Sequence, residues 1–184
     1  MVESMINLNK LIGSGEFTSP LTDMQPFICL LAGLVIALDA QIVFEIGTHI
    51  LNSGKAFLFG LEKTGGMLYT CDPVRSFYFD HPNLEFIQKT SQEVAKTWKK
   101  KIDILFIDED HEYKMVEDDF FNFFPFMRDG GLIILHDTNY FPGPKRLAER
   151  IMELLKGISL SGILSFWETP GLTIFQKIKY MTIS

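Results

Sequence analysis

Between residues 102 and 138 the chain sets two aspartates at the ends of two apolar runs, with imidazoles beside them. The first run, IDILFI, leads into Asp108, followed by Glu109, Asp110 and His111; the second, LIILH, leads into Asp137, with His136 just before it. Carboxylates brought side by side repel one another unless a cation or a proton lies between them. Oxygen donors of this kind suit Mg²⁺, which keeps waters and takes one or two carboxylates. His111, in the loop after the first run, is a group that takes up a proton near neutral pH. It reads equally well as a solvated surface histidine, and Glu109 and Asp110 read as solvated loop charges. In a regular strand His136 points away from Asp137, which makes it a packed or supporting residue rather than a ligand.

A second group lies earlier, in Glu45-Ile-Gly-Thr-His-Ile-Leu-Asn-Ser-Gly54. Glycine at a strand end lets backbone approach a ligand closely, and Ser53 with the following amides would face that ligand at a helix start. The pattern is not GxGxxG, because His49, Leu51 and Asn52 stand where glycines are expected. An ordinary strand-to-helix turn is an equal reading of this stretch. Asp72 follows Gly47 by 25 residues, the place where an acidic residue commonly holds a ribose diol; its other reading is a turn residue before Pro73. Together the two features suggest a nucleoside-containing cofactor lying across the first two strands.

The elements that must position these groups alternate. Strands are expected at residues 42–47, 67–72, 84–88, 102–108 and 132–137, all but the short third closed by glycine, proline or an acidic residue. Helices are expected from Thr22, which forms a capping-box pattern with Gln25 ahead of Pro26, to about residue 40, and at 53–62, 91–99 and 144–156. Between the two acidic strand ends, Tyr113, Val116, Phe120, Phe123 and Phe124 recur at helical spacing, with Pro125 and residues 129–131 ending that element. Residues 163–166 and 172–178 read as an antiparallel hairpin. Alternation of strand and helix means an α/β fold: a mostly parallel sheet covered on both faces. If the fourth and fifth strands are neighbours, Asp108 and Asp137 lie ~5 Å apart, at the carboxyl ends where such sheets bind ligands.

With 184 residues the chain reads as one domain over residues 21–184, preceded by an N-terminal arm or lid at 1–20. A net charge of −6 excludes the basic footprint of a nucleic-acid binder. Cys29 and Cys71 fit neither a metal spacing nor a disulfide framework, which places the chain in a reducing, cytoplasmic setting. Residues 27–38 form the longest apolar run, yet 12 residues fall short of the ~20 a spanning helix needs. The run begins too late, and without a basic start, for a signal peptide. A buried core helix is the expectation, with no membrane partner.

These motifs, in this order, resemble class I S-adenosylmethionine-dependent methyltransferases. The nearest types are the metal-dependent catechol-type enzymes and the related sugar and natural-product O-methyltransferases. VFEIGT resembles the family's first motif, YTCDP its ribose-binding acid, KTSQEV its segment after strand three, and FIDEDH with GGLIILHDTN its metal-holding pair. The resemblance implies a Rossmann-like, seven-stranded, mostly parallel sheet with helices on both faces and a C-terminal antiparallel hairpin. It implies that Glu45, Gly47, Thr48 and Ser53 line the methionine part of the cofactor, Asp72 the ribose and Ser91 the adenine region, with Asp108 at the same cleft. Asp108 and Asp137 would ligate Mg²⁺ or another divalent cation. Thr138 stands where catechol-type enzymes have an asparagine ligand, and His136 where some sugar-type enzymes have a glutamate. His111 aligns with the general base. The implied reaction is methyl transfer to a hydroxyl of a small-molecule acceptor, with a homodimer left open. The altered glycine loop supports a rival, a non-catalytic binding protein on the same fold. A nicotinamide-dependent oxidoreductase is a further rival, disfavoured by the absent GxGxxG.

Overall fold

The computed structural model describes residues 24–155, 163–166 and 170–178. The expected arm at 1–20, the Thr22 cap and most of the turn within the final hairpin lie outside the described residues. Seven strands form one sheet: β1 (Ile42–Ile46), β2 (Met67–Cys71), β3 (Leu84–Ile87), β4 (Ile102–Ile107), β5 (Met127–His136), β6 (Ile163–Phe166) and β7 (Leu172–Gln176). Their order is β3-β2-β1-β4-β5-β7-β6. The first five run parallel, and β7 is antiparallel to β5 and to β6. The helices are α1 (Ile28–Ala37), entered through a 3₁₀ turn at Gln25–Phe27, α2 (Asn52–Thr64), α3 (Ser91–Ala95), α4 (Tyr113–Phe123) and α5 (Pro142–Leu155).

Strand side chains alternate between two cores. Phe44, Ile46, Leu105, Ile107, Ile133 and Leu135 face α4 and α5, meeting Val116, Phe120, Phe123, Leu147 and Ile151. Val43, Leu68, Ile104, Phe106 and Ile134 face the other way, against Ile28, Leu31 and Val35 of α1 and Phe57, Leu58 and Leu61 of α2. Each such side chain contributes roughly 1.5–3 kcal/mol by leaving water. All six residues of β4 are buried, which is why this strand reads as an apolar run interrupted only by Asp103.

Four expectations are corrected. β5 begins at Met127, not at residue 132; its register against β4 shifts between Ile102 and Ile104. Residues 128–131 are therefore an irregular stretch of strand, in which Gly130 takes φ +79° and Arg128 pairs with Asp103. At its other end β5 stops at His136, and Asp137 takes φ +58°, so the regular alternation that would separate their side chains does not hold. α3 ends at Ala95 rather than 99; its capping box (Thr90 with Glu93) forms, but Trp98 turns inward against Phe44 and Tyr69 and donates Nε1–H to the Lys100 carbonyl. α1 is not a fully buried helix: Ile28, Leu31, Ala32 and Val35 are buried, while Cys29, Gly33, Ile36 and Ala37 are exposed. Among the described residues no helix is long and apolar enough to cross a membrane.

β1 lies between β2 and β4. The chain proceeds outward from it on one side through β2 and β3, then crosses to β4 and β5 on the other. That reversal opens a crevice at the carboxyl ends of the central strands, the place where open α/β sheets bind ligands.

Candidate active site

Gly47 builds the floor of that crevice. Its φ is +90°, and a Cβ there would lie 2.1 Å from the Asp108 carbonyl oxygen and 2.8 Å from Glu109 Cα. Only glycine lets the end of β1 come this close to the end of β4. The sheet ladder carries on into both loops, Gly47 N–H donating to the Cys71 carbonyl and Asp108 N–H to the Ile46 carbonyl. Two non-glycine residues then adopt left-handed backbone, His49 at φ +42° and Leu51 at +64°. Leu51 is fully buried and stands at the N-cap of α2.

A cavity of about 350 Å³ opens above, lined by residues from the ends of four strands. The loop after β1 gives Gly47, Thr48, His49 and Ser53, β2 gives Asp72, β4 gives Asp108, Glu109 and His111, and β5 gives Asp137. Asp72 is fixed by backbone: Oδ2 accepts from His49 N–H at 3.1 Å and Oδ1 from Val74 N–H at 2.8 Å. A carboxylate has about four acceptor sites, so lone pairs remain for a ligand.

On the opposite wall the two aspartates and two histidines meet. His111 Nε2 lies 2.7 Å from Asp137 Oδ2. His136 Nδ1 lies 2.9 Å from Asp108 Oδ1 and 3.5 Å from Asp137 Oδ1. The turn at Asp137 thus folds its carboxylate back onto the same imidazole that Asp108 holds. Burial opposes charge on His136, but the charge and hydrogen bond of Asp108, with those of Asp137, push its pKa up to about 10. Among the described residues its Nε2 has no hydrogen-bond partner, and the ring meets Phe27 edge to face at 6.1 Å. For Asp137 burial works upward, and the hydrogen bonds and charges of His136 and His111 overcome it, lowering the pKa. One ligand atom from each of Asp108, His111 and Asp137 falls within 4.8 Å of the others, a spacing that could hold a metal ion. His111 packs against Phe141, ring centroids 3.8 Å apart, and Gly143 keeps α5 close, since a Cβ there would lie 2.0 Å from the His111 carbonyl oxygen.

The sequence profile of a family described as a methyltransferase domain matches residues 44–138, just over half of the chain, including Gly47, Asp72, Asp108, His111 and Asp137. The chain belongs to that methyltransferase family. Solved structures share its fold, the class I methyltransferase fold. An O-methyltransferase from Bacillus cereus, in complex with SAH, superposes with a TM-score of 0.62 at 17% identity, over 92% of this chain and 88% of that one. TomG from Streptomyces achromogenes, involved in tomaymycin synthesis and in complex with SAM, gives 0.64 at 16%, over 86% and 82%. MycE from the mycinamycin biosynthetic pathway, in complex with Mg and SAH, gives 0.67 at 18%, over 96% of this chain and 56% of MycE. No curated protein matches the sequence.

Within this methyltransferase domain the residues singled out from sequence fall into two sets. Gly47, Thr48, Ser53, Asp72, Asp108, His111 and Asp137 line the cavity. Glu45, Ser91 and Thr138 are not among its lining residues. Glu45 is fully buried and reaches the cavity through others: Ser53 Oγ donates to Oε1 at 2.5 Å, and Thr70 Oγ1, itself 2.6 Å from Thr48 Oγ1, donates to Oε2 at 2.6 Å. Ser91 donates its hydroxyl to Asp119. Thr138 accepts from the Thr173 hydroxyl at 2.9 Å. Glu109, read as a solvated loop charge, is not one, and Asp119 was not singled out. Glu109 lines the cavity, where burial first and then Asp119, Asp72 and Asp110 push its pKa up to about 7. Asp119 is 1% exposed, and burial pushes it up to about 6 against the Ser91 hydrogen bond. Its position was legible: Val116, Asp119, Phe120 and Phe123 share one helical face.

Proposed function

We propose that the chain transfers a methyl group from S-adenosylmethionine to a hydroxyl oxygen of a small molecule, with a divalent cation assisting. The observation that carries this reading is the convergence of Asp108, Asp137 and His111 on one wall of a cavity whose other walls are Gly47–Ser53 and Asp72. Its volume of about 350 Å³ is within the range of ligand pockets. Gly47, where a Cβ would push the end of β1 away from Asp108 and Glu109, keeps the strand ends that bound the cavity together. S-Adenosylmethionine supplies, when bound, a methyl group activated on a sulfonium. Asp72 would hold the ribose, and Thr48 and Ser53 the methionine end. Ser91, its hydroxyl on Asp119, would bound the adenine region from behind.

The donor set fits a divalent cation, because two carboxylates are oxygen ligands of the kind Mg²⁺ takes. Asp108 and Asp137 would hold it, and Thr138 keeps one hydroxyl lone pair beyond its bond with Thr173. A cation there would supply Lewis-acid polarisation of the acceptor hydroxyl. His111 would take the acceptor's proton. Asp137 as a carboxylate only accepts, so Nε2 carries the hydrogen of their 2.7 Å bond and Nδ1 keeps the basic lone pair. The same bond orients the ring. Alignment of this kind supplies several kcal/mol of a barrier, roughly 7–11 in the best cases.

The test begins with calorimetry of S-adenosylmethionine and NAD side by side; the first should bind and the second should not. Transfer of labelled methyl to a panel of catechol and sugar hydroxyls follows. Asp108→Ala and Asp137→Ala should abolish transfer and leave donor binding measurable, and EDTA should act likewise. His111→Ala should mainly lower kcat, with donor affinity little changed. Full activity in EDTA would end the metal role. His49 and Leu51 in glycine-type conformations favour a second reading, a domain that binds a nucleoside without transfer. Donor binding with no transfer across metals and acceptors would support it.

A further inference from the structure

Glu45 is a fully buried carboxyl group with, among the described residues, no basic side chain hydrogen-bonded or ion-paired to it. It meets only hydroxyls. A hydroxyl has a single proton, so the direction of each bond in this cluster fixes the next. When Glu45 is ionised, Thr70 must donate to Oε2 and has no proton left for Thr48. Thr48 therefore donates to Thr70, and its remaining lone pair is what it offers the cavity it lines. Ser53 likewise gives its proton to Oε1 and turns lone pairs outward. When Glu45 carries a proton on Oε2, the chain reverses: Glu45 donates to Thr70, Thr70 donates to Thr48, and Thr48 turns its own proton toward the cavity.

We propose that Glu45 is a proton-coupled positioning residue: through Thr70 and Thr48, and through Ser53, it decides whether this wall accepts or donates hydrogen bonds, and it loses a proton when a cationic group docks there. The inference rests on the methyl-donor reading, since the ammonium and sulfonium of S-adenosylmethionine are the cations this wall would meet. An ammonium has donors and no acceptor, so it pairs only with the lone-pair form of the wall. Docking therefore selects ionised Glu45, and the proton passes to solvent.

The groups acting on Glu45 place the switch near neutrality. Burial pushes its pKa up to about 7, with the Ser53 and Thr70 hydroxyls opposing and the negative charges of Asp108 after β4 and Asp72 after β2 adding to the rise. Cys71, at the end of β2, is held protonated by its own burial. Glu109 titrates in the same range from the cavity wall, so the variant comparison below must separate the two. With a midpoint near 7 and a complex that keeps Glu45 ionised, linkage makes apparent affinity rise about tenfold from pH 6 to pH 8.

Calorimetry of S-adenosylmethionine at pH 6, in two buffers of different ionisation enthalpy, reads the proton directly. The wild type should release close to one proton at pH 6 and little at pH 8. Glu45→Gln should abolish that difference and flatten the affinity profile, and Thr70→Val, which cuts the path to Thr48 and keeps the acid, should weaken the pH 6 to 8 rise. Adenosine, which fills the nucleoside end without a cation, should bind with no proton release in any variant. Equal heats in the two buffers, or proton release that survives Glu45→Gln, would overturn the coupling and leave the methyl-donor reading intact. Failure of both S-adenosylmethionine and adenosine to bind would overturn both.

Discussion

At the scale of single residues, the site is held open by backbone that only particular side chains tolerate. Gly47 is the sharpest case. Replacing it with alanine sets a Cβ 2.1 Å from the Asp108 carbonyl at a φ of +90°. Left-handed backbone alone costs a non-glycine residue roughly 1–2 kcal/mol, and the clash with backbone adds to it. Gly47→Ala should therefore lower stability by about 2–4 kcal/mol in denaturant unfolding, and it should abolish donor binding, because the end of β1 must move away from Asp108. An unaltered affinity in calorimetry would mean that the approach of the two strand ends does not shape the pocket. Gly47 was readable in the sequence as a strand-end glycine that lets backbone approach closely, though an ordinary turn was an equal reading. The meeting of His136 with both aspartates was not. It depends on Asp137 turning to φ +58°, and nothing in His136-Asp137-Thr138 dictates that turn against a further strand residue.

At the scale of elements, the parallel strands were legible and the irregular ones were not. β1, β2 and β4 are buried on both faces and read as apolar runs interrupted once each, by Glu45, Thr70 and Asp103. The start of β5 was hidden behind Arg128-Asp129-Gly130-Gly131, which carries every local mark of a turn, while its ion pair to Asp103 and its pairing with β4 come from residues distant in sequence. The pairing of Ser91 with Asp119 shows the same limit: the helical face turns Asp119 inward, but only the packing of α3 beside α4 joins it to Ser91. The loop into α2 shows a different one. His49 and Leu51 both hold glycine-type φ values, but their surroundings differ. His49 is exposed, so His49→Gly removes strain and little else. It should raise stability by up to about 1 kcal/mol, or about 2–4 °C in Tm for a chain of this size. Leu51 is fully buried among the α1 and α2 side chains. Leu51→Gly relieves similar strain yet empties a core site, which costs roughly 2–5 kcal/mol, so its net effect should be a fall in Tm. Equal shifts in the two variants would show that packing at Leu51 does not outweigh its backbone.

At the scale of the whole molecule, the same buried acids that shape the site set how stability responds to pH. Glu45, Glu109 and Asp119 have folded pKa values raised to about 7, 7 and 6, burial being the largest cause for each. A carboxyl whose folded pKa lies above its unfolded value binds more protons folded than unfolded between the two. Stability therefore falls as pH rises through that window, from about pH 4 to about pH 7. His136 acts in the same direction higher up. Its folded pKa of about 10 exceeds its ordinary value, so its contribution is complete below the unfolded pKa of ~6.5 and is lost as pH climbs toward 10. Asp137 acts oppositely: lowered in the fold, it contributes above its unfolded pKa and fails in stronger acid. The ligand-free domain should thus be most stable near pH 5 and lose Tm steadily toward pH 8, away from the neutral optimum of many proteins. Glu45 is the largest separable part, since it is fully buried; a shift from its ordinary value to about 7 corresponds to roughly 3 kcal/mol. Glu45→Gln, measured by thermal unfolding, should leave Tm little changed at pH 5, raise it at pH 8 and flatten the slope between. Saturating S-adenosylmethionine should shift the optimum upward, because it favours the ionised form that burial disfavours. A Tm that rises from pH 5 to pH 8 in the ligand-free wild type would show that these acids are not buried as the fold places them.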